Sequence, residues 1–218
     1  MVDCVTAMRC GGVRLRGRPK PISEDERRGR LIQAAEDVFL ERGYGLATMD
    51  DVSRRAGMSK KTIYQLFATK QALFAALLAQ NVERLMMPIK TDDGTRGPRA
   101  VLEDFLRQVA RFVLSPRQVA MHRLVISEAL RTPELAQAFL HETMDRGRSE
   151  LVQWFEGQRQ RGTLNIEDAD EAASILCGFV ISEPQLRLLY GQDEPPTWAM
   201  IDRRVQLGLD IFFKGTSV

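Results

Sequence analysis

Residues 48–67 read TMDDVSRRAGMSKKTIYQLF. Thr48 followed three residues later by Asp51 is an N-cap signature, and Met49, Val52 and Ala56 then line up as a short apolar face. Gly57 supplies a stop, so the helix is only about two turns long. Ser59 caps another helix at once, with Ile63, Leu66 and Phe67 as its buried side. Two short helices joined through a glycine form a helix-turn-helix pattern.

The same periodicity extends in both directions. Upstream, Ser23 with Glu26 is a capping box, and Leu31, Ala34, Ala35, Val38 and Phe39 recur at helical spacing until Gly43. Downstream, Thr69 opens a fourth helix through Leu73, Phe74, Leu77, Leu78 and Val82 that stops before Pro88, and the polar stretch 90–98 follows as a loop. A fifth helix carries Val101 to Val113, and Ser115–Pro116 and Thr132–Pro133 open a sixth and a seventh, the last running to about Arg161. Asp168 with Glu171 opens an eighth that Pro184 should kink, and Pro196 opens a ninth. Alternating strand patterns and internal repeats are absent. The expected class is all-α: an N-terminal three-helix domain with the helix-turn-helix, then a C-terminal helical bundle, about nine helices in total. The expected division is a flexible basic arm over 1–22, the helix-turn-helix domain over 23–69 and a second domain over 70–218.

Composition narrows the function. The 218 residues hold 31 Lys+Arg and 29 Asp+Glu, a net charge of +2 that hides an uneven distribution. Residues 1–70 carry 14 basic and 9 acidic side chains, whereas 71–218 carry 17 and 20. Two differently charged halves suggest two jobs. Arg9, Arg14, Arg16, Arg18 and Lys20 fall in an acid-free stretch broken by Gly11, Gly12 and Gly17, which points to a flexible arm. No apolar run approaches the roughly 18 residues needed to span a bilayer, and residues 1–12 lack an apolar signal core, so a cytoplasmic protein without membrane contact is expected. Cys4, Cys10 and Cys177 lack CxxC spacing, which argues against a disulfide framework or structural zinc, and His122 and His141 are the only histidines. No metal or cofactor is expected.

Once Ile63, Leu66 and Phe67 face inward, Lys60, Lys61, Thr62, Tyr64 and Gln65 remain at the surface beside the cap Ser59. Lysines bind phosphate as point charges, Tyr and Thr hydroxyls bridge phosphate oxygens, and Gln pairs with the N6/N7 edge of adenine. At this point the residues carry a resemblance. From Arg27 to Leu78 the chain resembles the N-terminal domain of the TetR family of bacterial transcriptional regulators. The matching features are Ala35 with Phe39, Gly43–Tyr44, Thr48–Met49, the run from Val52 to Tyr64, Leu66–Phe67, and Lys70 with Leu73. Gln65 departs from the pattern, because many members place an aromatic residue or histidine there. The resemblance implies that Lys60, Lys61, Thr62 and Gln65 face the major groove while Thr48, Tyr64 and Lys70 hold phosphates. Thr48 and Lys70 also lie near helix N-termini, whose free amides favour an anion. Arg16 and Arg18 would reach an adjacent minor groove.

From Met121 the stretch MHRLVISEALRTPELAQAF is similar to the C-terminal domain of an AefR-like TetR subfamily. That similarity implies a bundle that pairs two subunits into a homodimer and encloses an inducing small molecule. Ile175, Phe179, Leu186, Leu189, Val205, Leu209 and Phe212 are the expected dimer residues, with ordinary intrachain core as the competing role. Phe105, Phe112, Met121, Trp154 and Phe155 are the apolar candidates for a ligand pocket. The favoured function is a repressor binding a palindromic DNA operator. An activator of the same fold, an all-α enzyme using the C-terminal cavity, and a peripheral membrane protein are the alternatives. No nucleophile–base pair, HExxH, Walker loop or GxGxxG supports the enzyme.

Overall fold

Helix starts are where this sequence is most explicit, because each first turn leaves backbone N–H groups without partners and a side-chain oxygen can accept from them. In the computed structural model, which describes residues 23–191 and 194–216, Ser23, Thr48, Ser59, Thr69, Ser115 and Asp168 each do so. The helices that follow are α1 (Glu24–Arg42), α2 (Met49–Ala56), α3 (Lys60–Leu66), α4 (Lys70–Leu85), α5 (Met87–Lys90) and α6 (Pro98–Val113). They continue with α7 (Pro116–Glu128), α8 (Pro133–Phe139), a π-helical segment (Leu140–Asp145), α9 (Arg146–Gln160), α10 (Ala169–Leu189) and α11 (Trp198–Thr216). No strand occurs among the described residues. The arm with Arg16 and Arg18 lies outside them.

The all-α class is as expected, and the count differs for two reasons. Pro88 does not end helical structure but sits in the first turn of the short α5, where its missing N–H costs nothing. The single helix expected over 133–161 is three segments, because a wider turn at Leu140–Asp145 separates α8 from α9. Gly57 ends α2 at φ +66°, in the left-handed region, and Met58 N–H donates to the Ser53 carbonyl at 2.9 Å. That Schellman-type closure lets α3 start two residues later.

Two hydrophobic clusters form. One joins Leu31, Ala35 and Phe39 of α1 to Val52, Ile63, Leu73, Phe74 and Leu77, and takes in Met121, Leu124, Val125, Leu135 and Phe139 from α7 and α8. The other is built on Val101, Leu102, Phe105 and Leu106 of α6, with Leu151, Trp154 and Phe155 of α9 and Leu176, Val205 and Leu209 beyond. The clusters divide inside α4, between Leu78 and Val82. The three N-terminal helices therefore rest on a platform of α4, α7 and α8.

Pro184 lies inside α10 and has no N–H to offer the Val180 carbonyl. Arg204 of α11 supplies it, its Nε donating to Val180 at 3.0 Å and to Phe179 at 3.1 Å. Helices α10 and α11 approach closely here: a Cβ on Gly208 would lie 3.0 Å from the Phe179 ring. α10 also corrects the expectation that no segment is apolar enough to span a bilayer. At 21 residues, with mean hydropathy 1.2 over its most apolar window, it is long and apolar enough. Ala173, Leu176 and Val180 turn one of its faces into the core.

Candidate nucleic-acid interface and effector cavity

Helix α3 presents one buried residue, Ile63, and a solvent face of Ser59, Lys60, Lys61, Tyr64 and Gln65, with Thr62 half-buried. Ser59 accepts from the Thr62 N–H at 3.1 Å, and the two hydroxyls lie 2.9 Å apart. Lys60 pairs with Asp50 of α2. Among the described residues Lys61 has no hydrogen-bond or ion-pair partner, which makes it the free cation of the helix, one turn from Tyr64 and Gln65.

Thr48 and Lys70 are more committed than their positions in the sequence suggest. Thr48 Oγ1 accepts from the Asp51 N–H at 3.1 Å and contacts the Asp51 carboxylate at 2.6 Å, while the Thr48 N–H donates to that carboxylate at 3.1 Å. Asp51 also meets Arg42 at 2.6 Å, and its carboxyl is held below the usual range, first by the Thr48 hydroxyl. Lys70 folds inward: its ammonium donates to the Tyr44 carbonyl at 2.6 Å and the Ala47 carbonyl at 3.0 Å, and sits 4.3 Å from the centre of the Tyr44 ring. Desolvation lowers its pKa. Lys70 thus fastens the turn before α2 to the start of α4, and at most one of its three N–H groups remains for a phosphate.

The second feature is a cavity of about 360 Å³ between α4, α6, α7, the π-helical segment, α9 and α10. Of the five pocket residues expected, Phe105 and Phe112 line it. Met121 does not, because α7 turns it into the N-terminal cluster. Trp154 and Phe155 do not either: the Trp154 indole donates to Asp92 at 2.6 Å, and the Phe155 ring stacks on Phe212 at 5.6 Å within the core. Sequence reasoning missed His122, Gln118, Gln185, Asn81, Thr143 and Met144. Cys177 also lines the cavity, with its thiol pushed up to about 11 by burial. The polar residues sit among apolar ones on α4, α7, α10 and the π-helical segment, and no spacing in one segment reveals that they converge.

These polar groups connect. His122 Nδ1 lies 2.9 Å from the Gln118 carbonyl, and its Nε2 lies 3.1 Å from the Gln185 amide nitrogen. The Gln118 side chain donates to Glu36 of α1 at 3.3 Å, and neighbouring Arg117 pairs with the same carboxylate at 2.9 Å. A hydrogen-bonded path therefore runs from the cavity to the helix that supports α2.

The expected dimer residues separate into two groups. Ile175, Phe179 and Leu186 are 62%, 39% and 53% exposed, whereas Val205 and Leu209 are wholly buried within the chain. Phe212 and Leu189 pack partly against the same core. The correction follows from helix rotation: α11 turns Val205 and Leu209 toward α6 and leaves Met200, Leu207 and Ile211 exposed.

An exposed helix-turn-helix mounted on a helical bundle defines a transcriptional regulator that binds DNA. The family of bacterial regulatory proteins named after TetR matches residues 31–77, and the C-terminal domain of AefR-like transcriptional repressors matches 100–215. The chain belongs to the TetR family. Over 108 residues it is 40% identical to the transcriptional activator FasR of Mycolicibacterium smegmatis, a stretch covering 46% of this chain and 49% of FasR, so it spans about half of that relative. It is 27% identical over 191 residues to the transcriptional repressor Rv1474c of Mycobacterium tuberculosis, covering 83% of this chain and 94% of the relative. The flavonoid-responsive regulator FrrA superposes with a TM-score of 0.68 at 30% identity, covering 88% of this chain and 98% of FrrA. A TetR-family regulator of Mesorhizobium loti superposes at 0.76 with 22% identity over 89% of this chain and 98% of that one, a likeness of fold.

Proposed function

We propose that this protein is an effector-responsive repressor that binds a palindromic operator as a homodimer, with α3 in the major groove. The observation that carries the reading is the solvent face of α3, where Lys61, Tyr64 and Gln65 stand together on a buried Ile63. Lys61 and Tyr64 contact phosphates or base edges, Gln65 reads a base, and Ser59, Lys60 and Thr62 line the rim. Thr48 and Lys70 act chiefly by holding α2 and α4 in place. Arg16 and Arg18 add phosphate or minor-groove contacts.

Two-fold pairing is supported by the exposed apolar stripes Ile175–Phe179–Leu186 on α10 and Met200–Leu207–Ile211 on its neighbour α11. Such a dimer places two α3 helices on one side of the DNA, with half-sites about one helical turn, or a multiple of it, apart. The largely apolar cavity between the helices supports effector control, as does the likeness to a regulator named for its response to flavonoids. A second reading, activation, is favoured by the 40% identity to FasR.

Selection of bound fragments from genomic DNA is expected to return a palindrome. Lys61→Ala should weaken binding to it and reduce the salt slope of the dimer by about 1.8, one phosphate contact at about 0.9 from each subunit. Lys60→Ala, which first frees Asp50, should do so less. Full affinity in both Lys61→Ala and Tyr64→Ala would remove α3 from the interface. Phe179→Glu should yield monomers in sedimentation and lose the palindrome. A reporter under the recovered site separates repression from activation by the sign of the change when the protein is supplied.

A further inference from the structure

The cavity offers little to a charged molecule. Among its described lining residues Arg148 alone carries a fixed charge, and it is paired with Asp170. A carboxylate or phosphate entering here would lose its hydration without gaining a free cation, and an amine would find no carboxylate. The walls are instead aromatic and thioether, with Phe105, Phe112, Phe139, Met86 and Met144 around the space. Rings and methionine sulfur both pack favourably on a planar π-system. At about 360 Å³ the cavity is near the lower end of the roughly 300–1,000 Å³ usual for small-molecule sites, which suits a compact ligand.

His122 sets the polarity of the one well-defined hydrogen-bonding point. Its Nδ1 faces the Gln118 carbonyl at 2.9 Å, and a carbonyl only accepts, so Nδ1 carries the proton. Burial holds the imidazole below its ordinary pKa of 6.5, and the ring is neutral. Nε2 is then an acceptor, occupied by the Gln185 amide at 3.1 Å. The ring is held edge-on against Phe139, with centroids 4.8 Å apart. Nearby, the Asn81 carboxamide has no hydrogen-bond partner among the described residues and faces the same space.

We propose that the cavity binds an uncharged, compact aromatic molecule bearing a phenolic hydroxyl, which donates to His122 Nε2 in place of Gln185. Gln185 is then only the competitor that the hydroxyl displaces, and the unpartnered Asn81 carboxamide serves a further ligand oxygen. The proposal rests on the effector reading above and adds to it the chemical class and the residue that recognises it.

Calorimetry on the full chain with 7-hydroxyflavone, unsubstituted flavone and decanoate tests this. The hydroxylated ring is expected to bind at least about tenfold tighter than flavone, with decanoate weakest, the margin that one matched polar contact supplies. His122→Phe should abolish that preference while keeping flavone affinity within about twofold, since the ring and its packing remain. Gln185→Ala, a milder change, should leave 7-hydroxyflavone affinity equal or higher. Equal binding of flavone and 7-hydroxyflavone, tightest binding of decanoate, binding of none, an unaltered preference in His122→Phe, or loss of 7-hydroxyflavone in Gln185→Ala would each overturn the proposal. Operator affinity measured on the same samples separates the two claims: 7-hydroxyflavone that binds through His122 and leaves operator affinity unchanged would refute effector control and retain the ligand class.

Discussion

Tyr44 shows how a single polar atom is carried by its surroundings. Its ring packs between Phe39 and Phe74, with centroids 5.3 and 5.5 Å away, and its hydroxyl is buried without a hydrogen-bond partner among the described residues. Burial, with the negative charge of Glu134 second, pushes the phenol up to about 12, so it stays protonated and its donor unused. An unsatisfied buried hydroxyl costs about 1–3 kcal/mol. Tyr44→Phe is therefore expected to raise stability by about 1 kcal/mol, seen as a higher urea midpoint at unchanged slope. A lower midpoint would mean that the hydroxyl does have a partner, such as an internal water. Lys70, across the same ring, marks the limit of sequence reading at this scale. A lysine at a helix N-terminus reads as a phosphate ligand, and only the fold shows two carbonyls waiting for it.

At the scale of elements, the pairing of α10 with α11 depends on a repair. Pro184 removes one donor from α10, and Arg204 restores it from outside the helix. Arg204→Met keeps much of the apolar stem and loses the donor, leaving the Val180 carbonyl short of a partner. The expected cost is about 1–3 kcal/mol, read as a lower thermal midpoint, whereas Arg203→Met, one residue away, should change it little. The π-helical segment was not legible in advance. Leu135, Phe139, Leu151 and Phe155 fit one helical period well enough that a wider turn between them is invisible, yet that turn carries Thr143 and Met144 to the cavity.

At the scale of the molecule, the cavity and α1 are joined through α7, independently of α4. Gln118 presents its backbone carbonyl to His122 and its side chain to Glu36. Gln118→Leu cuts the second contact and preserves the first, so 7-hydroxyflavone should still bind while its effect on operator affinity shrinks by about 0.5–2 kcal/mol, the range for residues lying between coupled sites. The ratio of operator Kd with and without the compound measures it, and an unchanged ratio would assign the coupling to α4 alone. The net charge of +2 also acquires meaning here. The basic excess falls on the half that carries α3, and the acidic excess on the bundle.

The sequence by itself determined the helical class, the helix starts and the helix-turn-helix, because caps, glycine stops and three- and four-residue spacings are local and act within one or two turns. It also determined which residues α3 turns outward, since one buried Ile63 fixes the rotation of so short a helix. Only the tertiary structure decided which apolar residues line the cavity, which belong to the core and which remain exposed. Those outcomes depend on how helices rotate against partners distant in sequence. Met121 and His122 are neighbours in the chain, yet α7 directs one into the N-terminal core and the other toward the cavity.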